Sequence, residues 1–206
     1  MRNAWLQRIA GQVTLRRMHI LAIRGLATLG ETRCLPRLAE LAQDRTVPTD
    51  VRLEAAAALG KLQPTALEAA ARQLIPNKSA SALVDRLVAA RMLESHRGPE
   101  ATSLLAELAT DPQPAVQTVA LGHLYQIDPG LIMSVMDQTI TSPDVNVRRW
   151  VADALAAGST PEQIARLATL LDDVDPHLRR HVCDCLLSLA KDAALRDAVI
   201  AEGRRM

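Results

Sequence analysis

A phrase that begins with an aliphatic residue recurs six times along this chain, at intervals of 31 to 33 residues. The six anchor residues are Met18, Val51, Val84, Val116, Val147 and Leu178. Small or aliphatic side chains also stand four and eight residues after each anchor. Offsets of 0, 4 and 8 lie on one face of an α-helix, so each phrase predicts an amphipathic helix with a narrow apolar stripe. Such a period indicates stacked units that bury their apolar faces only against their neighbours.

A second set of amphipathic segments lies between these phrases, and prolines mark the joins. The second set covers residues 35–44, 66–75, 100–109, 130–140, 162–171 and 193–202. Four polar residues directly before prolines are candidate helix N-caps, namely Asp111, Asp128, Thr160 and Asp175. Three glycines at predicted helix ends suggest the left-handed cap conformation, namely Gly30, Gly60 and Gly158.

These two sets of helices predict an all-α fold, a right-handed α-solenoid (α/α superhelix) of about six helical hairpins. We expect one repeat domain over residues 1–206. The inner helix of each hairpin is predicted near residues 15–29, 49–62, 80–95, 113–127, 144–157 and 176–190. The chain has two tryptophans, one tyrosine and no phenylalanine, a composition that suits helices packed through small residues. Neither end carries a distinct capping sequence, which favours a fragment of a larger protein.

Three phrases resemble HEAT repeats, of the short bacterial type shared with phycobilisome lyases: DVRLEAAAALGKL (50–62), DVNVRRWVADALAAG (144–158) and DPHLRRHVCDCLLSL (175–189). The resemblance implies that the Val-Arg helix is the inner one. It also implies a ladder of arginines and aspartates along the stack. The matching pairs are Arg52 with Asp50, Arg148 with Asp144, and Arg179 with Asp173 or Asp175. The pattern lacks its arginine at His19, Asp85 and Gln117.

Charge and cysteine usage restrict the compartment and the partners. The chain has 24 basic and 23 acidic residues, a formal net charge of +1, which provides no long-range basic field for nucleic acid. No apolar stretch reaches the ~18 residues that a membrane helix needs, so we expect no membrane span. The cysteines Cys34, Cys183 and Cys185 lack the spacing of a disulfide framework. We therefore expect a cytoplasmic protein.

Offsets 2, 3 and 6 of each inner helix are predicted to face a groove, and the last two repeats are distinctive there. They carry a cationic, aromatic set with flanking carboxylates, consisting of Arg149, Trp150, Asp153, Arg180, His181 and Asp184. Tryptophan and arginine are enriched at binding hot spots, so one interpretation is a patch that binds an acidic or extended protein segment. In the other interpretation the charges pair internally, Arg149 with Asp153, and Trp150 packs between helices.

Metal binding and catalysis have weak signals in the sequence. His177, His181 and Cys185 lie on one helical face, but no fourth ligand is evident, so we expect no metal and no cofactor. Cys183 and Cys185 are predicted to be small buried core residues. Cys185 beside His181 could form a nucleophile and a base, but nothing in the sequence orients the histidine.

The sequence therefore predicts a non-catalytic scaffold that binds a protein partner along the concave face of the solenoid. Two alternatives stay open. The resemblance implies a bilin lyase or chromophore chaperone only for those relatives that hold a chromophore. Arginine pairs such as Arg148-Arg149 and Arg179-Arg180 suggest a protein that binds nucleic-acid backbones, which the balanced charge disfavours.

Overall fold

The structure, a computed structural model, describes residues 2–11, 15–63, 65–76, 79, 82–158 and 160–205. All regular secondary structure in these ranges is helical, which confirms the all-α prediction. The chain forms two compact units, Met1–Asp128 and Pro129–Met206. The expectation of one repeat domain over residues 1–206 stays a prediction.

The described residues of the first unit form four helical hairpins. Its helices are α1 (Arg2–Ala10), α2 (Arg16–Thr28), α3 (Leu35–Gln43), α4 (Thr49–Leu62), α5 (Glu68–Leu74), α6 (Leu83–Met92), α7 (Pro99–Ala109) and α8 (Pro114–Ile127). Each odd-numbered helix packs on the even-numbered helix that follows it, and α2, α4, α6 and α8 pack side by side in that order. This is the consecutive stacking that a repeat of this period predicts.

The second unit repeats the arrangement. Its helices are α9 (Met136–Thr139), α10 (Val145–Ala156), α11 (Pro161–Thr169), α12 (Pro176–Leu189) and α13 (Ala193–Gly203). The second helices α10 and α12 pack on each other, and α11 and α13 form the other layer. Each unit is thus two layers of helices with an apolar interior between them.

A helix lies at each of the six predicted inner positions, as α2, α4, α6, α8, α10 and α12, with ends that differ from the prediction by at most three residues where the structure describes them. Residues 80 and 81, at the predicted start of the third, lie outside the described residues. The predicted outer helix over 130–140 is wrong in detail, because a 3-10 helix (Pro129–Ser134) precedes the four-residue α9. The hydroxyl groups of Ser134 and Thr139 donate to the backbone carbonyls of Leu131 and Val135, and such bonds compete with a regular helix.

The apolar stripe forms the core. Of the anchors and the residues four and eight positions after them, all are buried except Met18 and the half-buried Val84. Met18 is 43% exposed, because the buried face of α2 is shifted toward His19 and Ile23, which are 1% and 0% exposed. Interior alanines such as Ala55 keep neighbouring helices close.

The arginine–aspartate ladder joins successive repeats, so two of the predicted pairs are wrong in their partner. Arg52 donates to Asp85 of the next repeat at 2.6 Å, and Arg148 donates to Asp173 of the next repeat at 2.7 and 2.8 Å. Asp50 and Asp144 instead accept backbone N–H groups at the start of their own helices.

The third predicted ladder arginine, Arg179, donates to the backbone carbonyls of Asp173 and Val174, at 2.7 and 3.3 Å. All three ladder arginines therefore donate to backbone oxygens, and Arg52 and Arg148 bind a carboxylate of the next repeat as well.

The register position one residue after each anchor is buried and polar in five repeats. It holds His19, Arg52, Asp85, Gln117 and Arg148. The positions where the arginine pattern fails therefore keep the same environment with another polar side chain. Asp85 shows how another polar residue suits this buried position, since its carboxylate accepts a hydrogen bond from the guanidinium of Arg52. In the last repeat the equivalent Arg179 is exposed.

A further buried ion pair was not predicted. Arg86, expected to face the groove, is 0% exposed and lies against Asp111, with Nε and Oδ2 2.7 Å apart. Nη2 of the same guanidinium donates to the other carboxylate oxygen, Oδ1 of Asp111, at 3.3 Å, so the ion pair is reinforced by a hydrogen bond. Arg86 also donates to the backbone carbonyl of Ser79 at 2.8 Å. Asp111 is therefore a partner for a buried cation and not the N-cap of α8, which is Gln113.

The other predicted caps have different outcomes. Thr160 caps α11 in a reciprocal capping box with Gln163, and Asp175 caps α12 by accepting the N–H of Leu178 at 2.8 Å. Both predictions are confirmed. Asp128 is the C-cap residue of α8 and directly precedes the 3-10 helix Pro129–Ser134, so its role as an N-cap stays a prediction.

Among the three glycines, Gly30 is the one with a positive φ, +64°, as the cap prediction requires. Gly60 instead lies inside α4 and is buried, where α4 approaches α6. Every helix that the structure describes is too short or too polar to cross a bilayer.

Candidate functional site

The six residues predicted as a binding patch all lie on α10 and α12 of the second unit, and we call them the α10–α12 patch. Its members are Arg149, Trp150, Asp153, Arg180, His181 and Asp184. Trp150 and His181 are half-buried, and the four charged members are exposed. The structure thus places them together, while their role in binding a partner stays a prediction.

The rotation of the two helices follows from their apolar stripes. Val147, Val151 and Leu155 of α10 are buried, so the residues two, three and six positions after the anchor lie off the core face. The start of α10 is fixed by Asp144, whose carboxylate accepts the N–H groups of Asn146 and Val147 at 2.8 and 3.2 Å. The paired contacts of Arg148 with Asp173 tie α10 to the loop before α12.

A side-chain contact joins the two helices inside the patch. His181 Nε2 on α12 donates to Asp153 Oδ1 on α10 at 2.5 Å. The predicted internal pair of Arg149 with Asp153 is not the one that forms, because the carboxylate is taken by the histidine of the next repeat. Among the described residues, neither Arg149 nor Arg180 has an ion-pair partner. The two exposed guanidinium groups belong to Arg149, which directly precedes Trp150 on α10, and to Arg180, which directly precedes His181 on α12.

Cys185 lies one helical turn beyond His181, and its Sγ is 3.8 Å from His181 Nε2. Asp153, His181 and Cys185 each offer one atom that can bind a metal ion, and these three atoms lie within 4.8 Å of one another. His177, which the sequence grouped with His181 and Cys185, is exposed and not part of this cluster. The sequence did not indicate that Asp153 on α10 lies beside His181 and Cys185.

The prediction that Cys183 and Cys185 are core residues is wrong. Cys183 is exposed and Cys185 is half-buried, because their positions on α12 lie off the stripe of Leu178, Val182 and Leu186. Burial raises the pKa of the Cys185 thiol, the nearby carboxylates of Asp153 and Asp184 add to the rise, and Arg149 opposes it.

The cluster does not have the arrangement of a cysteine nucleophile with a histidine base. In such a triad the two ring nitrogens have separate tasks, one toward the nucleophile and one toward the orienting carboxylate. Here the thiol and the carboxylate both lie beside Nε2. The raised pKa of Cys185 also disfavours the thiolate that such chemistry requires. Asp153 does orient the histidine, which the sequence did not reveal.

The corresponding face of the first unit differs. Arg24 on α2 forms a 2.7 Å ion pair with Glu54 on α4, and Arg86 is buried. The remaining positions there are mostly aliphatic or small, such as Leu53 and Ala57. The combination of exposed cations with an indole therefore belongs to α10 and α12.

Comparison with known families identifies HEAT repeats in residues 132–200, which include both helices of the α10–α12 patch. No curated protein matches the chain. The second unit, with its stacked hairpins and inter-repeat arginine contacts, therefore carries the pattern of HEAT repeats.

Proposed function

We propose that the chain is a non-catalytic scaffold that binds a protein partner through its second helices, with the α10–α12 patch as the anchor. The observation that carries this proposal is the pair of exposed guanidinium groups, Arg149 and Arg180, on the helix faces that also carry a half-buried tryptophan. Stacks of HEAT repeats commonly serve as interaction scaffolds, because they present extended surfaces.

The chemistry of the patch favours a partner with carboxylates. Guanidinium groups bind carboxylates through two parallel hydrogen bonds, and tryptophan supplies contact area at a small entropic cost. Asp153 would neutralise Arg149 if the two paired, but Asp153 is bound to His181. An extended acidic segment that crosses α10 and α12 fits these features.

The proposal is tested by selecting partners and then removing the anchors. Proteins recovered with the chain from its native source, and acidic peptides selected from a display library, supply ligands for titration by fluorescence anisotropy. Replacing Trp150 or Arg180 by alanine is expected to weaken binding at least about tenfold, since hot-spot truncations cost 2 kcal/mol or more.

The matched control is Arg204→Ala, which removes an exposed arginine that follows α13 in the other layer and should leave binding unchanged. Thermal unfolding is measured for every variant. If the Trp150→Ala, Arg180→Ala double variant melts far below the parent, the residues are structural and the patch assignment is wrong.

The resemblance to phycobilisome lyases supplies a second candidate function, a bilin lyase or chromophore chaperone. It is supported by the repeat sequence and is tested by adding free bilin to the purified protein. A lyase-type protein should shift the visible absorbance of the chromophore, and an unchanged spectrum would remove this candidate.

We also propose a cytoplasmic location. The exposed free thiol of Cys183 and the half-buried free thiol of Cys185 are typical of a reducing compartment. Fractionation of the native cells with an antibody to the chain would check it.

A further inference from the structure

We infer that Asp153, His181 and Cys185 form a binding site for a divalent transition-metal ion, with Zn²⁺ as the ion that suits the three donors best. The three side chains come from adjacent helices and bring a carboxylate oxygen, an imidazole nitrogen and a sulphur together. This inference concerns the chain by itself and does not depend on the proposed partner.

The donor distances are close to those of a tetrahedral site. With Zn–N near 2.0 Å and Zn–S near 2.3 Å, donors of a tetrahedral site lie roughly 3.3–3.6 Å apart. The Sγ of Cys185 and Nε2 of His181 are 3.8 Å apart, already near this range. The 2.5 Å contact of Nε2 with Asp153 must lengthen by about 0.8 Å, to admit an ion of this size. Asp153 is exposed, so a change of rotamer can provide that movement.

The donor set selects the class of ion. Thiolate and imidazole ligands favour Zn²⁺ and similar transition metals over Mg²⁺ and Ca²⁺, which prefer oxygen donors. One carboxylate and one thiolate would balance the two charges of the ion. Three protein donors leave a fourth position for water or another ligand, as in open zinc sites.

Proton movements on binding are defined by the contacts. Nε2 of His181 carries a proton in its bond to Asp153, and this proton must pass to Nδ1 for Nε2 to bind the metal. The thiol of Cys185 loses its proton to solvent, so a neutral histidine ring gives one released proton for each ion bound.

The charged neighbours of the thiol would also act on a bound ion. Arg149 on α10 favours the thiolate, and Asp153 and Asp184 disfavour it. An incoming dication reverses the effect of the two carboxylates, because they then stabilise the ion.

The test is a titration of the full chain with Co²⁺, under a reductant that does not bind metals. Thiolate coordination gives a sulphur-to-cobalt charge-transfer band in the near ultraviolet, and Zn²⁺ should abolish it by displacement. We expect one ion per chain, release of one proton measured with an indicator dye, and loss of the band in Cys185→Ser. His181→Gln and Asp153→Asn should each weaken binding at least about tenfold.

Cys183→Ser is the matched control, since it removes an exposed thiol two residues away and should keep the band. Far-ultraviolet circular dichroism verifies that each variant is folded. Each of three outcomes would overturn the inference. The first is a parent protein without the band, the second is a band that is lost in Cys183→Ser and kept in Cys185→Ser, and the third is an affinity that is unchanged in both His181→Gln and Asp153→Asn.

Discussion

At the scale of single residues, the buried polar position after each anchor is the feature that periodicity does not reveal. A helical pattern assigns that position to the edge of the apolar stripe, where either a polar or an apolar side chain is acceptable. Arg52 and Arg148 are nevertheless buried, because a carboxylate of the next repeat compensates their desolvation. Their partners lie 33 and 25 residues away, so no local signal in the sequence identifies them.

The pair of Arg86 with Asp111 illustrates the same point more strongly. Both side chains are 0% exposed, and a guanidinium in such a place requires a counter-charge. Arg86 was predicted to face the groove because it stands two residues after the anchor Val84, an offset assigned to the groove in every repeat. Only the packing of α6 against its neighbours shows that this offset faces inward in the third repeat.

The Arg148–Asp173 pair predicts a specific pH dependence of stability. Hydrogen bonds from Arg148 hold the pKa of the Asp173 carboxyl below its usual range. The pair therefore stabilises the fold fully above the unfolded carboxyl pKa of about 4, and this contribution is lost as the pH falls through the lower folded value. Asp173→Asn should lower the unfolding free energy by about 1–3 kcal/mol at pH 7, and the deficit should shrink below about pH 4.

Urea denaturation at a series of pH values measures that deficit. Asp172→Asn, at the exposed neighbouring residue, is the control and should change stability little at any pH. A deficit for Asp173→Asn that does not change with pH would show that the lost contribution is not electrostatic.

At the scale of elements, the second helices were predictable and the first helices less so. Each second helix has its apolar stripe at offsets 0, 4 and 8 and packs on the first helix of its own hairpin and on at least one other second helix, so the pattern is strong. The segment 130–140 has apolar residues at similar spacing, yet it forms a 3-10 helix and the short α9. Pro129 and Gly130 lie at the start of this segment, and side-chain hydroxyl groups donate to its backbone carbonyls. Both features disfavour one continuous α-helix over the segment.

Two glycines in second helices should respond oppositely to the same substitution. A Cβ added to Gly60 would lie 2.4 Å from the carbonyl oxygen of Met92, so Gly60→Ala must separate α4 from α6. We expect a loss of about 1–3 kcal/mol in unfolding free energy, even though alanine is the better helix former.

Gly122 of α8 is the matched control, because a Cβ there meets nothing within 4 Å. Gly122→Ala should raise the unfolding free energy by about 0.5–1 kcal/mol through the helix propensity of alanine. Chemical denaturation of both variants checks the two signs, and a stabilising Gly60→Ala would contradict the close approach of α4 and α6.

At the scale of the whole molecule, the charge balance bears on the nucleic-acid alternative. The formal net charge is +1, and several arginines are already paired with carboxylates, as in the contacts of Arg52 and Arg148. Such cations have little free charge to displace counterions from a phosphate backbone.

We therefore expect no measurable binding of duplex DNA near physiological salt. Fluorescence anisotropy of a labelled duplex, titrated at two salt concentrations, measures it. Micromolar binding that weakens steeply with salt would instead favour a backbone-binding function, with Arg149 and Arg180 as the first residues to replace.

The sequence by itself determined the class of fold, the six second helices and most of the core, because a helical stripe is a local property that repeats with the chain. It also placed the members of the α10–α12 patch on one kind of helix face. Only the tertiary structure decided which charges meet, since Asp153 with His181 and Cys185, or Arg52 with Asp85, join repeats across helix contacts. Such pairings depend on the rotation and spacing of neighbouring helices, and these follow from the packing of helices within each unit.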